Sequence, residues 1–302
     1  MATRVFITGT TGYLGGAISA RLAQSGCDVR GLTRSEERAR RLALWGVQPV
    51  LGDLDSPESF LAELKNSDAV IHAAFDGTAP AERDERALEA VRAGCQDGRV
   101  RRFLYTSGVW VHGDTGGQVA DESSPLAPAE VVSWRPAHEE EALELAAHDV
   151  QVVILRPGMV YGGTGGALGE WFEEARDKGS ISYPGGEQHW SMVHRDDVAD
   201  AYLLGLEHAR GGERYLLVDG SRFTVRELAE AAAQAAGVTA RAIARAEVLD
   251  TLGPHGAARL MDQQFHSAKA RRELGWVPAH TSFVTEAAAL HREWNAGRTA
   301  VA

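Results

Sequence analysis

Residues 5–15, VFITGTTGYLG, decide the fold of this chain. The apolar run 5–8 predicts a buried strand, and residues 13–25 predict a helix that stops at Gly26. The glycines between them are spaced Gly-x-x-Gly-x-x-Gly. One makes the tight turn, one lets the backbone approach a pyrophosphate, and one lets the helix pack closely on the strand. The helix start also offers free N–H groups to phosphates. The stretch therefore predicts a dinucleotide-binding strand–turn–helix unit.

The rest of the first half alternates strand patterns with helical patterns. This alternation predicts an α/β fold with a doubly wound parallel sheet of the Rossmann type. We expect residues 1–156 to form the dinucleotide-binding domain. Residues 157–302 would form mainly a smaller C-terminal substrate-binding lobe, with segments near 191–220 returning to the Rossmann domain. Further strands are predicted at 29–33, 49–51, 69–73, 102–106, 151–156 and 214–218. Further helices are predicted at 56–65, 82–96, 135–147 and 195–208.

Composition excludes several classes of protein. The chain has 302 residues, and 31 Lys and Arg against 42 Asp and Glu give a net charge of −11, which argues against nucleic-acid binding. No apolar run approaches the ~20 residues needed to span a bilayer, so we expect a cytoplasmic protein with no membrane contact. Cys27 and Cys95 have no metal or redox spacing, and no His-Glu-x-x-His pattern occurs. We therefore expect no metal site.

The residues after the second predicted strand indicate which cofactor binds. An NAD binder usually has Asp or Glu there for the ribose 2′-hydroxyl, but this chain has Thr33-Arg34-Ser35. Arg34 could pair with a 2′-phosphate, which favours NADP(H) over NAD(H), or it could be a solvated side chain that opens an Arg-rich helix. The predicted cofactor-binding residues are Gly9, Thr11, Gly12, Tyr13, Leu14, Gly15, Arg34, Ser35, Asp53, Leu54, Ala73, Ala74, Thr106 and Pro157.

Motifs spread along nearly the whole chain resemble the extended short-chain dehydrogenase/reductase family, which includes the NAD-dependent epimerases and dehydratases. They occur in the family's order at residues 8–15, 52–54, 72–74, 105–107, 156–158, 193–198 and 270–278. The resemblance implies a Rossmann domain, a small substrate domain and a bound NAD(P). It also implies a homodimer formed through the helices predicted at 82–96 and 135–147.

The chain departs from that family at the catalytic positions. By the register of Val111-His112-Gly113, Gly108 occupies the place of the family's catalytic serine. Counting back from Arg156 to the family's Tyr-x-x-x-Lys gives Ser133 and Ala137, or Trp134 and His138 after a shift of one. The pattern Arg135-x-x-x-Glu139 instead resembles atypical members that lack both residues. Because reducing a carbonyl requires a proton donor to the forming alkoxide, we expect an unusual donor.

Four side chains are candidates for that donor. His112 is the leading one, because it follows the fifth strand and imidazole titrates near neutral pH. It could equally face away from the pocket. His138 lies on the helix that carries the family's lysine, but it could sit beside Glu139–Glu141 on a wet face. Tyr161 and Ser107 complete the set, and the resemblance favours structural roles for both.

The predicted substrate pocket is mostly aromatic and apolar. Such a wall suits a small, flat, apolar substrate better than a sugar pyrophosphate, although several of these residues could belong to the core. Asp76 and Arg135 could anchor a polar group. The predicted lining comprises Phe75, Asp76, Trp110, Trp134, Met159, Trp171 and Tyr183.

Together these patterns predict an NADP(H)-dependent oxidoreductase acting on a small, largely apolar carbonyl, imine or enone. Two alternatives stay open at this point. One is an NADP(H)-binding sensor or partner protein without redox turnover, which the lost catalytic residues would also explain. The other is a redox-neutral isomerase or lyase on the same fold, because a fold does not determine a function.

Overall fold

A parallel sheet of seven strands forms the centre of the computed structural model, which describes residues 2–75 and 77–299. The strands of the described residues are β1 Arg4–Thr8, β2 Asp28–Thr33, β3 Gln48–Leu51, β4 Ala69–His72, β5 Arg102–Thr106, β6 Val119–Ala120, β7 Gln151–Pro157, β8 Met159–Tyr161, β9 Ser180–Pro184, β10 Met192–His194, β11 Glu213–Leu217, β12 Thr239–Ile243 and β13 Gln264–Phe265.

Helices follow most of these strands. They are α1 Tyr13–Gln24, α2 Glu36–Leu44, α3 Leu61–Lys65, α4 Pro80–Asp97, α5 Arg135–Glu144, α6 Gly166–Lys178, α7 Arg195–His208, α8 Val225–Ala236, α9 Arg245–Arg259, α10 Ala268–Leu274 and α11 Phe283–Thr299. Among the described residues, no helix is both long and apolar enough to cross a bilayer. The same residues hold no cluster of three or more His, Cys, Asp or Glu side chains that could bind a metal ion.

The strand order of the large sheet creates the crevice where a dinucleotide binds. The order is β11-β7-β5-β4-β1-β2-β3, and all neighbours run parallel. The chain reverses its direction of progress across the sheet between β1 and β4, where Thr8 pairs with His72. In such sheets ligands bind at the carboxyl ends of the strands beside this reversal. The predicted fold class is confirmed.

Alternation along β1 explains how the sheet is covered on both faces. Val5 and Ile7 point into a core shared with α1 and α7, whereas Phe6 points into a second core under α3, α4 and α5. Successive strand side chains face opposite sides, so an all-apolar strand must be buried on both.

A third apolar core lies outside the large sheet. It is built by α6, α8 and α11 together with the paired short strands β8–β10 and β9–β12. Trp171 stacks on Trp190 in this core, with ring centroids 5.6 Å apart. Strand β11 does not belong to this core. It pairs with β7 in the large sheet, with Leu217 opposite Pro157.

Candidate functional site

The glycine loop between β1 and α1 is shaped to receive phosphate groups. Gly9 has a φ of +76°, and a Cβ there would lie 2.6 Å from the backbone of Ala73. A Cβ on Gly15 would lie 2.2 Å from the Gly9 carbonyl oxygen, so helix and strand touch as the spacing predicts. Helix α1 starts at Tyr13 without a side-chain cap and without an acidic residue in its first turn. Its free N–H groups therefore fit a dinucleotide pyrophosphate.

Two arginines lie beside this loop. Arg34, whose side chain is 60% exposed, places Nη1 3.9 Å from Oδ2 of Asp53. Ser35 caps α2 by accepting the Arg38 N–H at 3.3 Å, and Arg38 Nη1 donates to the Thr11 hydroxyl at 3.4 Å. The structure thus brings Thr11, Arg34, Ser35 and Asp53 to one end of the loop. The sequence analysis did not single out Arg38, although its position in the first turn of the helix after β2 could have been recognised.

Other predicted cofactor residues use their side chains inside the protein. The Tyr13 hydroxyl donates to the Gly162 carbonyl oxygen at 2.8 Å, and burial raises the pKa of that phenol. The Thr106 hydroxyl lies 2.5 Å from the Tyr202 hydroxyl, while Leu14 packs against the core beneath α1. At these positions the side chains stabilise the fold through contacts inside the protein.

The burial pattern of α5 shows which side of the helix meets the sheet. Ser133 and Ala137, given by the count from Arg156, are exposed and face away from the sheet. Arg135 and Glu139, four residues apart, are the buried polar residues of this helix. Val131, half-buried in the 3₁₀ turn before α5, lies one turn earlier on the same side. The buried pair is therefore the Arg135-x-x-x-Glu139 pattern of the sequence.

His112 is buried, and its ring already forms a hydrogen bond with an arginine. Its Nε2 lies 3.0 Å from Arg156 Nη1. Because a guanidinium only donates, this nitrogen must accept the hydrogen bond and cannot carry the proton. Burial and the positive charge of Arg156 lower the pKa of His112 to about 4. The geometry therefore argues against His112 as a proton donor near neutral pH.

The partner of Arg156 is Glu139. The carboxylate of Glu139 accepts two hydrogen bonds from Arg156, at 3.0 and 2.5 Å, and both side chains are almost completely buried. This bidentate pair joins α5 to β7 and fixes the helix against the sheet.

His138 belongs to a buried network centred on Asp84 of α4. The Asp84 carboxylate accepts hydrogen bonds from His138 Nδ1 at 2.8 Å, His72 Nε2 at 3.1 Å and the Tyr105 hydroxyl at 2.6 Å. Burial would raise the pKa of Asp84, but the hydrogen bonds from His138 and His72 outweigh it and the pKa is lowered. On its other side, His72 Nδ1 lies 2.7 Å from the Thr8 hydroxyl. The network connects the ends of β1, β4 and β5 with α5.

The two hydroxyl candidates differ in their surroundings. Tyr161 is fully buried in the third core, where burial and the charge of Asp219 raise the pKa of its phenol far above 10. Ser107 follows β5 directly, and its hydroxyl has no hydrogen-bond partner among the described residues. Tyr161 is therefore enclosed in the third core, whereas Ser107 lies directly at the end of β5.

The predicted pocket residues separate into two groups. Phe75 is 60% exposed, and Trp110, Trp134 and Met159 are half-buried around the carboxyl edge of the sheet. Trp171 and Tyr183 lie instead in the third core, so predicting them as pocket lining was wrong: packing with other apolar side chains accounts for both. Asp76 lies outside the described residues.

The wall nearest to Val131 is apolar. Val131 packs with Trp110 and Met261 around a buried cluster of Ala129, Val132 and Ala258. Gly108, two residues before Trp110, is open: among the described residues, a Cβ there would come within 4 Å of only the Pro157 carbonyl oxygen, at 3.7 Å. An apolar surface beside an open strand end suits a compact, uncharged substrate.

The sheet order, the glycine loop and the open strand ends define a dinucleotide-binding Rossmann protein. A model of the NAD dependent epimerase/dehydratase family matches residues 5–217. The chain therefore belongs to that family of nicotinamide-dependent oxidoreductases, and it is an extended short-chain dehydrogenase/reductase.

Two relatives and one solved structure are similar to the chain over most of its length. A Stigmatella aurantiaca protein named 4-hydroxy-2-methyl-3-oxo-4-farnesyl-3,4-dihydroquinoline-1-oxide ketoreductase is 32% identical over 308 residues, covering 91% of this chain and 92% of the relative. An uncharacterized Schizosaccharomyces pombe protein is 29% identical over 296 residues, covering 94% and 98%. The dTDP-glucose 4,6-dehydratase DesIV from Streptomyces venezuelae, solved with NAD bound, has a TM-score of 0.84 and 23% identity, covering 98% of each chain.

Proposed function

We propose that this protein is an NADP(H)-dependent reductase of a small, largely apolar carbonyl, imine or enone compound. The observation that carries the proposal is the arginine pair, Arg34 and Arg38, beside the glycine loop. It is joined by Thr33-Arg34-Ser35 at the end of β2, where an NAD binder usually has an acidic residue. When bound, the reduced nicotinamide would supply a hydride to the substrate.

The choice between the two cofactors follows from charge. A 2′-phosphate is a dianion with accepting oxygens, and a guanidinium fork pairs with it through two parallel hydrogen bonds. An Asp or Glu at this place would bind the 2′-hydroxyl of NAD(H) and repel the phosphate. Asp53 already sits 3.9 Å from Arg34, so Arg34 would turn from this weak, half-exposed pair toward the phosphate.

The substrate class follows from the other end of the crevice. Gly108 leaves open space just after β5, and nearby in sequence Trp110 packs with Val131 and Met261 on an apolar cluster. Phe75, which follows β4, is exposed. These side chains offer apolar contact area and few groups that would pair with a phosphate or a sugar. The ketoreductase name of the Stigmatella aurantiaca relative supports reduction of a carbonyl.

The test measures cofactor binding and turnover separately. Dissociation constants for NADPH and NADH would be measured with wild type, Arg34→Ala and the control Arg40→Ala, which alters an exposed arginine in α2, the helix that follows Arg34. A lost charge-assisted bond of about 1.5–3 kcal/mol should weaken NADPH binding by roughly 10- to 150-fold and leave NADH binding within about threefold. Equal losses for both cofactors would contradict the proposed role of Arg34.

Turnover would be followed as loss of NADPH absorbance with aromatic ketones, aldehydes, cyclic imines and enones. We expect oxidation of NADPH with at least one of these compounds. The second candidate function is an NADP(H)-binding protein without turnover. It is favoured by Gly108, at the place where the resemblance puts the family's catalytic serine, and by the lack of a Tyr-x-x-x-Lys pattern in the segment before Arg156. Tight NADPH binding with no oxidation across the panel would support that candidate instead.

A further inference from the structure

Arg135 is a cation buried at the carboxyl end of β5. The residue is only 6% exposed, and its Nη1 donates to the Thr106 carbonyl oxygen at 2.7 Å. The guanidinium lies 4.3 Å from the centre of the Trp134 ring and 5.9 Å from that of Phe75. Oδ1 of Asp84 is 3.8 Å from Nη1 and offsets part of the charge. Such a cation keeps its place because stacking and hydrogen bonds compensate for its lost hydration.

Part of this guanidinium is unused by the protein. A guanidinium carries five N–H donors. Within the described residues, only Nη1 of Arg135 makes hydrogen bonds, to the Thr106 carbonyl oxygen and to the Tyr105 hydroxyl at 3.4 Å. The Nε and Nη2 groups therefore keep three donors. They belong to a side chain anchored two residues before Gly108, where the strand end is open.

We propose that Arg135 hydrogen-bonds the carbonyl oxygen of the substrate and stabilises the negative charge that develops on it. This inference rests on the proposed reductase function. Reduction adds a hydride to the carbonyl carbon, the π pair moves to the oxygen as an alkoxide, and a proton from water completes the alcohol. Arginine stays protonated in proteins, so Arg135 stabilises the oxyanion without supplying that proton.

The surrounding residues favour this assignment over the earlier candidates. His112 accepts a hydrogen bond from Arg156, and Tyr161 is enclosed in the third core. Val131, one turn before Arg135 on the same face, offers only methyl groups. Arg135 is thus the buried donor group that this face of α5 presents beside Gly108. Its stacking between aromatic rings holds the donors in place before the substrate arrives, which is the condition for electrostatic catalysis.

The activity test compares Arg135→Gln and Arg135→Lys with the control Arg92→Gln, which removes a surface pair with Glu141. Removing a single oxyanion donor typically costs about 10²–10³ in kcat, so we expect a loss of that size for Arg135→Gln. Arg135→Lys keeps the charge but not the planar fork, and we expect an intermediate loss. NADPH binding and Tm should stay near wild type for the control.

A binding test does not depend on turnover. Benzoate carries an anionic oxygen pair on a flat apolar ring, and calorimetry would measure its binding to the protein–NADP⁺ complex. We expect binding to wild type and at least a tenfold weaker binding to Arg135→Gln. If Arg135→Gln does not fold at the assay temperature, Arg135→Lys replaces it, with a weaker benzoate affinity expected because the fork is lost.

The two tests separate the two proposals. If wild type oxidises no NADPH but benzoate binding depends on Arg135, the reductase function fails while the anion-binding role of Arg135 stands. If wild type is active and Arg135→Gln keeps kcat within tenfold, the role of Arg135 is overturned. Failure of benzoate to bind wild type, or equal binding to wild type and the variant, overturns it as well.

Discussion

Replacing Asp84 by Asn tests whether the buried network on α4 holds the strand ends together. The carboxylate accepts from His138, His72 and Tyr105. Asparagine keeps the size but exchanges one accepting oxygen for an NH₂ group, which would face groups that also donate. Each hydrogen bond to a charged group is worth about 1.5–3 kcal/mol, and leaving buried partners unpaired adds to the loss. We expect Asp84→Asn to lower the free energy of unfolding by about 3–5 kcal/mol.

The assay is urea unfolding followed by fluorescence, with Asp55→Asn as the matched control. Asp55 also accepts from two arginines of α4, Arg83 and Arg86, but it is exposed to solvent, so Asp55→Asn should lower the free energy of unfolding far less than Asp84→Asn does. A loss of under 1 kcal/mol for Asp84→Asn would refute the reasoning, because neutralising a buried carboxylate that accepts three hydrogen bonds should cost more than that.

The difference in the free energy of unfolding between wild type and Asp84→Asn should depend on pH in a direction that the pKa of Asp84 determines. The network lowers the pKa of Asp84, so its contribution to stability is present above the unfolded-state value of 3.8. It is lost only as the pH falls through the lower folded-state pKa. The difference between wild type and Asp84→Asn should therefore stay constant from about pH 6 to pH 8 and shrink only below about pH 4.

Three further variants test the glycine loop, His112 after β5, and the third core. Arg38→Ala should weaken NADPH binding by roughly 3- to 30-fold, with the loss shrinking at high salt because the side chain is exposed, and salt-independent binding would contradict this. His112→Gln should leave kcat within about tenfold between pH 6 and 8, since a pKa of about 4 keeps the imidazole neutral there. As the pH falls from 6.5 to 4, wild type should lose stability because His112 binds a proton in the unfolded chain but not in the folded one. His112→Gln lacks this histidine, so its stability should fall less over the same range. Trp171→Ala should lower unfolding free energy by about 3–5 kcal/mol while the folded fraction still binds NADPH, as differential scanning fluorimetry with and without NADPH would show.

The large sheet could be predicted closely because most of its strands contain an apolar run bounded by polar residues. The predicted strand at 102–106 has the same bounds as β5, and the helix predicted at 195–208 coincides with α7. Alternation of strands and helices then leaves few topologies. The helix predicted at 56–65 is less regular, since a 3₁₀ turn at Pro57–Ser59 precedes the short α3.

The site was less predictable because its contacts join distant parts of the chain. Asp84 meets Tyr105 and His138, 21 and 54 residues away, and nothing local marks it as more than one charge on a helix. The face of α5 that meets the sheet is selected by the Glu139–Arg156 pair, which counting along the chain cannot see. Aromatic composition likewise cannot separate Trp171 in a core from Trp134 beside the crevice, because both environments favour large rings.

Gly108 leaves room for a larger side chain at the end of β5. Among the described residues, a Cβ at position 108 would come within 4 Å of only the Pro157 carbonyl oxygen, at 3.7 Å, so a serine hydroxyl could be added there without moving the backbone. Gly158 offers no such freedom, since a Cβ would lie 2.3 Å from the Ser191 carbonyl oxygen. At Val131 a tyrosine ring would have to displace Trp110 or Met261. An engineer could therefore add a hydroxyl at position 108 by one substitution, whereas a phenol at position 131 would require its neighbours to repack.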